Sequence, residues 1–119
     1  ISVEIPKNHS VMFGPMSGQK LGIWITHGEG KFSFPYEEKE YHIALKYNYE
    51  GYPANPNGSP WSVAGVCSHD GRHMAMMPHL ERALFPWQCG YYPADRNDEV
   101  TPWIEGFVNA RKWIEENKK

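Results

Sequence analysis

A histidine followed two residues later by a carboxylate, His79 and Glu81 within Met76-Met77-Pro78-His79-Leu80-Glu81-Arg82, is the pair in this sequence best suited to proton transfer. An apolar, strand-like stretch runs straight into it, and in an extended segment residues i and i+2 project to the same side. Glu81 then accepts a hydrogen bond from one ring nitrogen of His79, fixes the tautomer and leaves the other nitrogen to act as a base. A group of that kind contributes about 10²–10⁴-fold in rate. The spacing alone equally describes a strand-terminal histidine held by its neighbour for structural reasons.

Other candidates are weaker. In His27-Gly28-Glu29-Gly30 the glycines let backbone approach a ligand and offer N–H groups to a carboxylate, although the same residues also make an ordinary tight turn. The loop matches no phosphate-cradling or dinucleotide pattern, so no nucleotide site is read there. A cysteine nucleophile needs a thiolate beside a base and oxyanion donors, commonly on a sharp strand-to-helix turn. Cys67 falls inside an expected hairpin strand, where it serves as a small buried hydrophobe. Cys89, in Trp87-Gln88-Cys89-Gly90-Tyr91, sits in an irregular loop without such an elbow. Neither reads as a nucleophile. His69 and His73 are separated by the turn-forming Asp70-Gly71 and are not a helical zinc pair, so no metal site is expected.

The elements that must position these residues follow from periodicity. Ile1, Val3 and Ile5 alternate with Ser2, Glu4 and Pro6, as in a half-buried strand that Pro6 ends. Residues 21–26 (LGIWIT) and 31–34 read as strands flanking the His27 to Gly30 loop, residues 36–41 as one helical turn, and residues 43–49 as a further strand. Residues 51–60 (GYPANPNGSP) form a proline-rich, shaped loop. Residues 63–68 and 72–77 form a hairpin across Asp70-Gly71, a dipeptide suited to a type I′ turn. After a loop around residues 86–98, Thr101 and Pro102 offer an N-cap and a first-turn proline for a helix to about Asn117. Trp103, Phe107, Ala110 and Ile114 mark its expected buried face.

With 119 residues there is room for one core. Twelve basic against fourteen acidic residues give a net charge of −2 and no block of like charge, so neither nucleic acid nor a membrane surface is implied as a partner. No apolar run nears the ~20 residues needed to span a bilayer. Two cysteines in a chain with five Trp, seven Tyr and five Phe imply an aromatic core rather than a disulfide framework. Ile1 already stands inside the alternating pattern, without an initial methionine, which leads to the expectation of a cut or processed piece.

Five ordered motifs go further. They are residues 26–30 (THGEG), residues 52–60 (YPANPNGSP), Ala64-Gly65-Val66-Cys67 with Asp70-Gly71-Arg72, residues 76–82 (MMPHLER), and Trp103 with residues 107–113 (FVNARKW). Together they resemble the C-terminal, glutamine-hydrolysing domain of the phosphoribosylformylglycinamidine synthase family, over nearly the whole chain. The resemblance implies the C-terminal part of a class I (triad) glutamine amidotransferase domain over residues 1–119. Its fold is expected to be α/β, a mixed sheet with β-hairpins and a C-terminal amphipathic helix. His79 is then the triad base and Glu81 its orienting carboxylate, while the nucleophilic cysteine belongs to a glycine-rich segment absent from these residues. His27, Gly28 and Glu29 are placed near the amino-acid end of bound glutamine. Where the family usually reads MMPHPER, this chain has Leu80, which restores a backbone N–H and frees φ.

The implied activity is hydrolysis of glutamine to supply ammonia for ATP-dependent amination of formylglycinamide ribonucleotide in purine biosynthesis. The partners are glutamine and a synthase region that carries the nucleophile, the ATP site and its Mg. No cofactor is assigned to residues 1–119, which are expected to be inactive alone, and the location is expected to be cytoplasmic. Two rivals remain from the residues themselves: a non-catalytic, aromatic-rich module binding a sugar or peptide, and a small cysteine hydrolase built on Cys89 and His79.

Overall fold

The computed structural model describes residues 1–25, 31–48, 55–56, 58–89, 92, 96 and 98–117. Five strands, β1 (Ser2–Glu4), β2 (Lys20–Gly22), β3 (His42–Tyr47), β4 (Val63–Cys67) and β5 (Met74–Met76), form one sheet, and a helix, α1 (Ile104–Glu116), follows them. The strand order is β2-β1-β3-β4-β5. Every neighbouring pair runs antiparallel, so among the described residues the sheet is not the mixed one expected. The α/β composition with a C-terminal helix stands.

Val3 and Ile5 are buried as their alternation requires, and Val3 pairs on one side with Leu21 and on the other with Tyr47. In β3 the alternation breaks: Ala44 and Leu45 are both fully buried, and the register against β4 shifts at this point. A bulge explains both, since an extra residue turns two consecutive side chains towards one face. Residues 31–34 form no strand. Phe34 instead stacks its ring on Trp61 at 5.2 Å and meets the Tyr41 ring at a tilt at 4.6 Å. The helical turn expected over residues 36–41 is a short 3-10 turn, Glu38–Glu40. Half of the proline-rich loop, residues 51–54 and 57, lies outside the described residues.

Strands β4 and β5 form the expected hairpin, but not through a type I′ turn. Only Gly71 has positive φ, at 73°, and the loop closes farther out, where the Ser68 N–H bonds the His73 carbonyl at 2.9 Å. The Asp70 carboxylate organises this longer loop by accepting from the Ser68 hydroxyl at 2.6 Å and from the Arg72 N–H at 3.1 Å.

The face of α1 that periodicity marks is buried at Trp103, half-buried at Ala110 and exposed at Phe107 and Ile114. Phe107 is 44% and Ile114 57% exposed, whereas Trp103 and Gly106 are buried. Trp103 packs its ring on Phe13 at 5.6 Å and donates its indole N–H to the Gly22 carbonyl at 2.9 Å. Gly106 lies against Phe13 where an added Cβ would stand only 3.2 Å from the ring, and Asn109 donates to the Met12 carbonyl at 2.8 Å. The inward face thus runs 103–106–109, and beyond Trp103 it stands on a glycine and an asparagine, which apolar spacing does not register. The Thr101 hydroxyl, expected to cap the helix, donates instead to the Ala83 carbonyl at 2.5 Å. That bond ties the helix start to the segment that follows Glu81.

The core joins Val3, Ile5, Phe13, Met16, Leu45, Leu80, Ala83 and Trp103 in one apolar cluster. Burying a large side chain of this kind contributes about 1.5–3 kcal/mol. Leu80 and Ala83 are therefore the apolar footing of the turn that carries Glu81.

Candidate functional site

Strand β5 ends at Met76, and the chain then leaves the sheet through Pro78 to His79. The His79 backbone makes an isolated antiparallel bridge with Trp24, its N–H bonding the Trp24 carbonyl at 3.1 Å. Immediately afterwards Leu80–Arg82 turn as a 3-10 helix, with the Arg82 N–H returning to the His79 carbonyl at 3.2 Å. The His79 to Glu81 segment is therefore not the extended one expected from the strand-like run before it. The turn brings Glu81 back beside the ring all the same.

His79 Nδ1 and Glu81 Oε1 are 2.7 Å apart. A carboxylate only accepts, so Nδ1 carries the proton and Nε2 of the neutral ring keeps its lone pair. Among the described residues Nε2 has no hydrogen-bond partner, and the side chain is 38% exposed. The Glu81 carboxyl is held below its ordinary range, first by its own backbone N–H and then by the His79 imidazole, with partial burial opposing both. Its charged, accepting form is the one the fold favours. Leu80 is 5% exposed and contributes its side chain to the core.

Two further residues frame the pair and were not singled out from the sequence. The Trp24 indole N–H donates to the Gln88 carbonyl at 2.6 Å. The Gln88 side-chain oxygen accepts from the N–H groups of Leu84 at 3.0 Å and Phe85 at 2.9 Å. Trp24 lies within the apolar run before the glycine-bearing loop and Gln88 lies 64 residues later beside Cys89, so local pattern gives no hint of their meeting.

His27, Gly28 and Glu29 lie outside the described residues. Cys67 is buried in β4 opposite His42, and burial pushes its thiol above the ordinary range. Burial also raises the Cys89 thiol, whose nearest acceptor is the Phe85 carbonyl at 3.9 Å. A cavity of about 530 Å³ is lined by Cys89 with Ile1, Ile23, Trp24 and Ala83, and His79 is not on its wall. Neither thiol meets the requirements of an activated nucleophile. No three His, Cys, Asp or Glu side chains gather to hold a metal ion among the described residues. No helix there is long and apolar enough to cross a membrane.

The family is shown by comparison: this chain belongs to the CobB/CobQ-like glutamine amidotransferase domain family, whose model matches residues 1–114. Within it, the chain is similar to phosphoribosylformylglycinamidine synthases. It is 43% identical to the probable chloroplastic/mitochondrial one of Arabidopsis thaliana, over 96% of this chain and 9% of that protein. It is 42% identical to that of Drosophila melanogaster, over 94% of this chain and 10% of that protein. The Homo sapiens synthase is 41% identical over 94% of this chain and 9% of its own length. The chain thus spans about a tenth of the length of the curated relatives it matches.

Proposed function

We propose that this chain contributes the base and its orienting carboxylate to a class I (triad) glutamine amidotransferase, the glutaminase part of a phosphoribosylformylglycinamidine synthase. The observation that carries the reading is the 2.7 Å bond from His79 Nδ1 to Glu81 with Nε2 left free. The nucleophilic cysteine comes from outside residues 1–119, in keeping with the raised, inward thiols of Cys67 and Cys89.

In this reading His79 Nε2 takes the proton of that cysteine as its sulfur attacks the side-chain amide carbon of glutamine. The same proton then passes to the departing nitrogen, which leaves as ammonia, and a thioester remains. His79 next takes a proton from water as the oxygen attacks the thioester, and returns it to the sulfur as glutamate departs. Glu81 stabilises the imidazolium formed twice in the cycle. His27, Gly28 and Glu29 contact the amino-acid end of glutamine. The Trp24 bridge supports that assignment, since Trp24 stands three residues before His27 and against His79. The ammonia aminates formylglycinamide ribonucleotide in an ATP- and Mg-dependent synthase region, to which none of the described residues is assigned. A cytoplasmic location is part of the reading, although the Arabidopsis relative bears an organellar name.

The test uses a chain that also holds the nucleophile segment and the synthase region. His79→Ala is expected to lower glutamine-dependent turnover by about 10²–10⁴-fold and to spare turnover fed with free ammonia. Loss of both activities, or of neither, counts against the assignment. Glutamine turnover by residues 1–119 alone that vanishes in Cys67→Ser or Cys89→Ser would remove the need for an outside nucleophile.

A further inference from the structure

We infer that Trp24 and Gln88 are positioning residues for His79, acting as one clamp across the segment that carries the base. The inference rests on the reading of His79 as that base and adds to it the residues that aim the ring. Trp24 holds the segment at both ends. Its backbone carbonyl accepts the His79 N–H at 3.1 Å, and its indole N–H donates to the Gln88 carbonyl at 2.6 Å.

Between those two points the chain turns twice, through Leu80–Arg82 and Pro86–Gln88. The Gln88 side chain closes the second turn on the residues that lead into it, accepting the N–H groups of Leu84 and Phe85 at 3.0 and 2.9 Å. The Leu84 carbonyl in turn accepts from Thr101 N–H at 2.7 Å, which anchors the same point to the start of α1. Residue 87 shows the division of labour: the Trp87 ring is 79% exposed while its neighbour Gln88 turns inward to make these bonds.

Location decides what the clamp does. Trp24 is 43% exposed, so its hydrogen bond to Gln88 competes with water and contributes little to stability. Placement of a catalytic group is far more sensitive, since a displacement of about 1 Å can cost 10²-fold in rate. Loosening the clamp therefore shows in turnover before it shows in folding. The chemistry also names the tolerated replacement. Among the described residues Gln88 uses its side chain only as an acceptor, so a glutamate keeps both bonds and a leucine keeps neither. Trp24 uses its indole only as a donor, so phenylalanine keeps the ring and loses the bond.

The experiment measures kcat and KM for glutamine, ammonia-fed turnover and thermal unfolding in the full synthase chain, for wild type, His79→Ala, Gln88→Leu, Gln88→Glu and Trp24→Phe. Gln88→Leu is expected to lower the glutamine kcat by about tenfold with KM within about twofold and ammonia-fed turnover unchanged. Gln88→Glu is expected to recover to within about threefold of wild type, and Trp24→Phe to fall between them. Wild-type kcat in Gln88→Leu overturns the clamp, as does equal impairment of the leucine and glutamate variants or a change in KM alone. Should Gln88→Leu not fold, Trp24→Phe decides, and wild-type kcat there overturns it. A wild type that does not use glutamine, or His79→Ala that still does, removes the underlying reading of His79, and the clamp falls with it.

Discussion

His79 and Glu81 face each other across a 3-10 turn, Nδ1 to Oε1 at 2.7 Å, so the orienting carboxylate comes from the same short segment as the ring it holds. Two substitutions separate its charge from its hydrogen bond. Glu81→Gln still offers an acceptor oxygen but no charge, and the difference between charged and neutral hydrogen bonds is about 1–1.5 kcal/mol. Glutamine-dependent turnover is expected to fall about tenfold in this variant and about 10–100-fold in Glu81→Ala, with ammonia-fed turnover unchanged. Steady-state kinetics on the full synthase chain check the order. Wild-type rates in Glu81→Ala would show that the carboxylate is not part of the proton relay.

Gly71 is where the β4–β5 hairpin meets the N-terminal segment. It has φ of +73°, and an added Cβ would stand 2.1 Å from the His9 carbonyl oxygen. Gly58 has a similar φ of +66° with no described residue within 4 Å of an added Cβ. Left-handed backbone costs an L-residue about 1–2 kcal/mol, and forced overlap adds about 1–3 kcal/mol more. Gly71→Ala is therefore expected to destabilise by about 2–5 kcal/mol and Gly58→Ala by about 1–2 kcal/mol. Denaturant titrations of both variants supply the comparison, and equal losses would show that the His9 contact carries no weight.

Trp61 and Ser62 have positive φ, 55° and 58°, without being glycine. The Trp61 ring stacks on Phe34 at 5.2 Å, which offsets its backbone strain, whereas Ser62 makes no such ring contact. Ser62→Gly relieves about 1–2 kcal/mol of backbone strain against about 0.4–1 kcal/mol of added unfolded-state entropy. A net gain of about 0.5–1 kcal/mol is expected, read as a higher denaturant midpoint at constant slope. A lower midpoint would mean that the serine side chain contributes more than its backbone costs.

The parts legible in the sequence are those set by neighbours along the chain. The β4–β5 hairpin and the proximity of His79 to Glu81 each need only a few consecutive residues, whereas Pro102, expected in the first turn of the helix, stands before the Trp103 N-cap. The all-antiparallel order, the bulge in β3 and the Trp24–Gln88 bond join residues far apart, and no periodicity encodes such meetings. Helix α1 shows the limit within a single element: Gly106 faces inward where an added Cβ would crowd the Phe13 ring at 3.2 Å. Phe107 is left outside, although apolar spacing alone points it inward.

Three histidine rings from distant segments make the remaining prediction one about pH. His9 lies 4.4 Å from His42 between ring centroids, His69 lies 5.3 Å from His42, and His69 Nδ1 approaches His42 Nε2 at 3.4 Å. Burial first, and then the charges of His9 and His69, push His42 below the ordinary histidine range. The fold therefore favours the neutral ring. An unfolded histidine titrates near ~6.5, so this contribution to stability is complete above that pH and is lost as pH falls through the lower folded value. Acidification from about pH 7 to about pH 5 should weaken the fold, with an NMR titration midpoint for His42 below ~6.5. His9→Gln removes one repelling charge, so it is expected to raise that midpoint and flatten the acid-side loss. A wild-type midpoint at or above ~6.5 would mean that an attraction, rather than mutual repulsion and burial, governs the cluster.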